Sequence, residues 1–144
     1  LRLGYVVGPE ALIDGFYKIK DAYNVDRLAQ EIAWVAVRDQ AHMRANVEKI
    51  KASRQRVGEA LARMGFEVFP SDTNFLWVKP AKMAAAELFK LLREKKILVR
   101  YFPAALTRDY LRITVGADEQ MDRLLAALSE LLYREESIGK SRGA

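Results

Sequence analysis

Apolar positions recur along this chain with two periods, one suited to strands and one to helices. Leu1, Leu3, Tyr5 and Val7 share one parity and Arg2, Gly4 and Val6 the other, so residues 1–8 are predicted as an opening strand. Gly8-Pro9-Glu10 suits a strand-to-helix junction, with Pro9 in a first helical turn. Leu12, Ile13, Phe16 and Ile19 then form the apolar stripe of a helix over residues 10–20. Tyr23-Asn24 interrupts that stripe, and Asn24 is of the residue type that caps a following helix. The second helix, residues 25–38, is apolar nearly all round through Leu28, Ala29, Ile32, Trp34, Val35 and Ala36, and is expected to be well buried. A third, residues 41–64, carries a narrow seam of Met43, Val47, Ile50, Val57, Leu61 and Met64, as befits a helix lying across two bodies. Gly65 closes it.

Beyond Gly65 the pattern shortens. Residues 66–69 and 74–78 are predicted as strands around the turn Pro70-Ser71-Asp72-Thr73. Residues 84–95 form a helix with Leu88, Leu91 and Leu92 inward, and residues 97–102 and 110–115 form two further strands. Met121, Leu124, Leu125, Leu128, Leu131 and Leu132 mark a helix over residues 118–135, and residues 137–144 are expected to be a flexible polar tail. The fold class is therefore α/β: a short, mostly antiparallel sheet with helices packed on one side, preceded by a long connecting helix. An apolar strand with nothing before it is an unprotected edge, so a longer protein that has lost an N-terminal portion is expected.

Composition narrows the classes. The 144 residues are 51% hydrophobic and 30% charged, which suits a globular chain with a real core. Cysteine is absent, which excludes disulfides and thiolate metal sites and points to a reducing cytoplasm. No apolar run approaches the roughly 20 residues of a membrane span. The net charge of +5 is spread among acids, giving a solvated basic surface with no nucleic-acid face. His42 is expected at the surface, Trp34 and Trp77 in the core, and neither a phosphate-cradling glycine loop nor a metal cluster is recognisable.

The chemistry-bearing feature is a pair of arginines. If residues 97–102 and 110–115 form an antiparallel hairpin centred near Leu106, Arg100 falls opposite Arg112. Opposed side chains have Cβ atoms about 5 Å apart, a destabilising distance for like charges. Two guanidinium forks there suit a doubly charged anion such as phosphate, or a carboxylate. From spacing alone a second reading stands beside this one, in which each arginine pairs separately with a surface acid such as Asp109 or Glu94.

Leu1–Tyr5 (Leu-Arg-Leu-Gly-Tyr) is similar to the segment after the cofactor lysine in fold-type I aminotransferases. Ile97-Leu98-Val99-Arg100, followed by residues 110–116 (Tyr-Leu-Arg-Ile-Thr-Val-Gly), resembles the end of the histidinol-phosphate aminotransferase family, with Thr73-Asn74-Phe75 and Tyr23-Asn24-Val25 in the expected places. The resemblance extends to about Leu132, and it implies the C-terminal small domain of such an enzyme. Residues 1–38 would be the remnant of the large pyridoxal-phosphate-binding domain, and residues 39–136 the connecting helix and small domain. It further implies pyridoxal 5'-phosphate as cofactor, an amino donor and a 2-oxo acid as substrates, and a cytoplasmic homodimer. Arg2 matches the arginine that binds the cofactor's phosphate, Arg112 the one that grips the acidic end of the amino substrate, and Arg100 a second anion-binding arginine of the histidinol-phosphate branch. Tyr23 would lie near the subunit interface and reach toward substrate. The cofactor lysine would precede Leu1, leaving no catalytic residue in the chain. Asp21-Ala22 departs from relatives that often carry proline there. The alternatives are an aromatic-amino-acid transaminase or a threonine-phosphate decarboxylase of the same family and, outside enzymes, a basic module for an anionic polymer.

Overall fold

The computed structural model describes the backbone of residues 3–141 and the side chains of residues 3–133. The chain forms two compact units, Leu1–Ala45 and Asn46–Ala144. Among the described residues no helix is long and apolar enough to cross a membrane.

The first unit holds helices α1 (Glu10–Ile19) and α2 (Arg27–Arg38) and the start of α3 (Gln40–Arg63). Pro9 occupies the N-cap of α1, one position ahead of the first turn. Residues 3–8 do not form the expected strand. A strand exists through ladder bonds to a neighbour, and among the described residues of this unit no other strand supplies them. Tyr23 takes a left-handed backbone (φ 58), which breaks the chain between α1 and α2. The cap of α2 is Asp26, not Asn24: its Oδ1 accepts from the Ala29 amide at 2.8 Å. The expected burial of α2 is not found, since none of its residues is buried and Leu28, Trp34 and Val35 are more than half exposed. Trp34 is likewise not core, and the Arg38 guanidinium lies 4.7 Å from its ring centre. So short a unit has too little chain to enclose an all-round apolar helix.

The second unit contains the rest of α3, strands β1 (Phe66–Val68) and β2 (Phe75–Pro80), helix α4 (Ala85–Glu94), strands β3 (Arg100–Tyr101) and β4 (Leu111–Thr114), and helix α5 (Asp118–Ser141). Helix α5 runs beyond its expected end because no proline stops it. The sheet is antiparallel throughout, in the order β1-β2-β4-β3. Its core face presents Phe66, Leu76, Val78, Leu111 and Ile113, which pack with Val57 and Leu61 of α3, Leu88 and Leu92 of α4, and Leu124 and Leu128 of α5. All three helices therefore cover one face, as the hydrophobic pattern predicts. The α3 seam is buried only in its second half, at Val57 and Leu61, while Met43 and Val47 remain exposed.

Two polar devices fix the helices around the sheet. The buried Ser53 hydroxyl of α3 donates to Asp118 at the start of α5 (2.7 Å), and Arg56 donates to both Asp118 and Asp122. These contacts, the Ser53 hydrogen bond foremost, hold the Asp118 carboxyl below its ordinary range. Helix α4 ends in a Schellman motif: the Lys96 amide donates to Arg93 O and the Ile97 amide to Leu92 O, both at 2.9 Å. Lys96 takes the left-handed position (φ 59) where glycine is usual.

Candidate functional site

The uncovered face of the sheet is where charge and aromatic surface gather. Strand alternation sends Leu76, Val78, Leu111 and Ile113 into the core and places Phe75, Trp77 and Lys79 of β2, Arg112 of β4 and Arg100 of β3 on the opposite face. Arg100 pairs with Arg112 in the β3–β4 register, as the spacing about Leu106 predicts. Trp77 pairs with Arg112 on its other side. The strands are shorter than expected, because residues 102–110 leave the ladder to form a compact loop held by Thr107, whose Oγ1 donates to Phe102 O at 3.1 Å.

The surroundings of the two arginines are aromatic. The Arg112 guanidinium carbon lies 5.4 Å from the Phe75 ring centre and 5.7 Å from that of Phe102, and Arg100 lies 5.1 Å from the same Phe102 ring. Phe102 is 6.2 Å from Trp77, and Trp77 stacks on Tyr110 at 5.3 Å and 18°. Tyr110 in turn meets Phe69 edge-on and has Lys79 Nζ 5.8 Å from its ring. Among the described residues neither arginine has an ion pair or hydrogen bond to an acid, so pairing with Asp109 or Glu94 is not observed. Arg112 Nε is buried without a hydrogen-bond partner. A buried donor in that state is costly unless a ligand supplies the acceptor. Arg112, half-buried, and Arg100, exposed, thus both stand beside the Phe102 ring without counter-ions among the described residues. That arrangement suits an anion with more than one acceptor oxygen.

Tyr23 belongs to the first unit and is 98% exposed, and Arg2 lies outside the described residues. Phe75 and Phe102 were not singled out from the sequence, and Trp77 is half-buried on the open face instead of lying in the core. Parity alone holds the missing signal, since Phe102 stands two residues after Arg100 and Phe75 two before Trp77. A separate concavity of 730 Å³ in the first unit is lined by apolar residues such as Leu3, Ile13, Phe16 and Val37 and by Lys20, Asn24 and Gln30. Its lining is mostly apolar, and within it Lys20 Nζ donates to Asn24 Oδ1 at 3.2 Å.

An antiparallel sheet covered on one face by three helices is the fold of the small domain of a fold-type I aminotransferase. The chain belongs to the aminotransferase class I and II family, whose sequence model matches residues 1–128. It is 50% identical over 132 residues, 92% of its length, to histidinol-phosphate aminotransferase 1 of Nostoc sp., and it spans 37% of that relative. Among solved structures it resembles the histidinol-phosphate aminotransferase of Sinorhizobium meliloti in complex with pyridoxal-5'-phosphate (31% identity, TM-score 0.73, covering 86% of this chain and 35% of that one). It also resembles the L-threonine-O-3-phosphate decarboxylase of Porphyromonas gingivalis (28% identity, TM-score 0.74, covering 88% and 40%).

Proposed function

We propose that the full-length protein carrying this chain is a pyridoxal-phosphate-dependent aminotransferase that exchanges an amino group between histidinol phosphate and 2-oxoglutarate in histidine biosynthesis. The observation that carries this reading is the Arg100–Arg112 pair, opposed in register, free of acid partners among the described residues and with Arg112 Nε left unsatisfied in a buried setting. It is supported by the names of the relatives, which the chain matches over about a third of their length.

In this reading Arg112 grips the acidic end of either substrate, the phosphate of histidinol phosphate or a carboxylate of 2-oxoglutarate, and Arg100 adds a second fork for the phosphate. The Phe75 ring, 5.4 Å from the half-buried Arg112 guanidinium, limits water on that side of it and strengthens its charged hydrogen bonds. The donor set fits the anionic end of a substrate presented to pyridoxal phosphate, while Arg2, assigned to the cofactor's own phosphate, stands outside the described residues. The cofactor, when bound, serves as the electron sink and carrier for the transferred amino group. Residues 1–38 belong to the large domain and residues 39–136 to the connecting helix and small domain. The enzyme works as a cytoplasmic homodimer, with Tyr23 near the partner and reaching toward substrate.

The test uses the full-length enzyme. Arg112→Ala lowers kcat/KM for both substrates and Arg100→Ala lowers it chiefly for the phosphorylated donor. Each loss is about 30-fold to several thousand-fold, since stripping one partner from a desolvated charged contact costs roughly 2–5 kcal/mol. Equal losses in both half-reactions for Arg100→Ala overturn the phosphate assignment. The likeness to the threonine-phosphate decarboxylase favours a second reading, in which the same arginines hold a phosphorylated amino acid. Release of carbon dioxide from that substrate, without a requirement for 2-oxoglutarate, decides for it.

A further inference from the structure

Two like charges directly opposed on neighbouring strands repel, and long side chains at a surface relieve that repulsion by swinging apart. Here both guanidinium groups instead stand beside one ring, Arg100 at 5.1 Å and Arg112 at 5.7 Å from the centre of Phe102. The electron-rich face of an aromatic ring attracts cations, so a ring shared by two of them offsets their repulsion and narrows the space each explores. We infer that Phe102 is a positioning residue that holds Arg100 and Arg112 together as a single clamp for a phosphate dianion.

The ring is well placed for that role. Phe102 stands two residues beyond Arg100 and shares its parity, which brings the ring to the arginine face of the sheet. Its carbonyl accepts from the Thr107 hydroxyl at 3.1 Å, which fixes the backbone at the start of the loop. Its ring packs 6.2 Å from Trp77, which is itself stacked on Tyr110. Arg112 has a second brace in Phe75 at 5.4 Å, whereas among the described residues the Phe102 ring is the aromatic contact of Arg100. Loss of the ring therefore frees Arg100 more than Arg112. The consequence is one of specificity: Phe102 favours dianionic phosphate over a monoanionic carboxylate, although it offers no hydrogen bond to either.

This inference rests on the proposed anion-binding role of the arginine pair, and one series of variants in the full-length enzyme separates the two. Phe102→Leu and Phe102→Met keep an apolar side chain without a ring, and Phe102→Tyr keeps the ring. The readouts are KM and kcat for the phosphorylated amino donor and for 2-oxoglutarate, together with competitive inhibition by inorganic phosphate. Phe102→Leu and Phe102→Met are expected to raise the KM for the phosphorylated donor and the phosphate inhibition constant roughly two- to five-fold, the range of a cation–π contact at a partly exposed site. They change kcat and the KM for 2-oxoglutarate by less than about 1.5-fold, and Phe102→Tyr behaves as the parent. In an Arg100→Ala background Phe102→Leu adds less than about 1.5-fold, because the two residues act through one another. If Arg100→Ala weakens phosphate inhibition while Phe102→Leu and Phe102→Met do not, the positioning role is overturned and the arginine site stands. If neither Arg100→Ala nor Arg112→Ala alters phosphate inhibition, the anion site itself is overturned, and Phe102 with it. Loss of kcat for every substrate, without rescue in Phe102→Tyr, assigns the ring to packing and also overturns the inference.

Discussion

A residue kept for a ligand should be a burden to the fold in the ligand's absence, and Arg112 offers a direct measurement of that burden. Its Nε is buried without a partner, an arrangement that costs about 1–3 kcal/mol. The like charge of Arg100 directly across the ladder adds a cost of about 0.2–1 kcal/mol. Set against these are the cation–π contacts to Phe75 and Phe102, each about 0.5–1 kcal/mol at a partly exposed site. Arg112→Met retains the apolar stem and its contacts with the rings while removing the charge and the orphaned donor. The balance is a gain near 1 kcal/mol, or roughly 4 °C in Tm for a unit of this size. Urea denaturation of the 144-residue chain reads it out, followed in a Trp34→Phe background so that Trp77 reports on the unit carrying the site. Inorganic phosphate provides the second arm: at ten times its Kd it stabilises the parent by about 1.4 kcal/mol and leaves Arg112→Met unmoved. Destabilisation of Arg112→Met by more than about 1 kcal/mol would refute the reasoning, because Arg112 would then be part of the fold's own support.

Lys96 adopts the left-handed backbone that ends α4, so Lys96→Gly is expected to stabilise the chain by about 0.5–1 kcal/mol, read from the shift in urea midpoint. Leu128, fully buried in the core, should lose about 2–5 kcal/mol on Leu128→Ala, whereas Tyr23→Ala at a 98% exposed position should change stability by less than about 0.5 kcal/mol; a thermal melt compares them. The Asp118 carboxyl is held below its ordinary range by Ser53 and then Arg56, so its contribution is present above the unfolded carboxylate value and is lost as pH falls through the lower folded value. Ser53→Ala should raise the Asp118 titration midpoint, measured by NMR, and shift the acid limb of unfolding to higher pH.

The elements of the second unit were legible because each has its own amphipathic period and its own punctuation. Gly65 ends α3, Pro70-Ser71-Asp72-Thr73 turns β1 into β2, and the leucines of α5 repeat at helical spacing. The Arg100–Arg112 register was legible for a related reason, since a hairpin centred on Leu106 leaves one pairing that keeps Leu111 and Ile113 inward. The first unit was read less well. Periodicity shows which side of a helix is apolar and says nothing of what covers it, so α2 looked buried and is not. Residues 3–8 have the alternation of a strand but pair with no strand among the described residues. Phe102 was missed because an aromatic residue in a strand is usually assigned to packing, and its second role depends on where two guanidinium groups end up. Arg2 and its assigned role lie outside the described residues.

The geometry of the arginine pair follows from the packing beneath it. Side chains in a strand alternate strictly, so a one-residue slip of β4 would expel Leu111 and Ile113 from the core and drive Arg112 into it. The register that buries the leucine and isoleucine is the one that aims Arg112 outward, and the energy of the core therefore enforces the position of the site. Strand β3 tests this principle hardest, because only Arg100 and Tyr101 pair with β4. Two ladder residues alone would hold Arg100 poorly. Tyr101, however, turns to the helix side, pairs with Leu111 in the ladder and meets Phe89 of α4 with ring centres 5.7 Å apart. Ile97 and Val99, just before it, also pack against the core. The chain thus enters β3 pinned from below at every second residue, and Arg100, between Val99 and Tyr101, has the open face as its remaining direction.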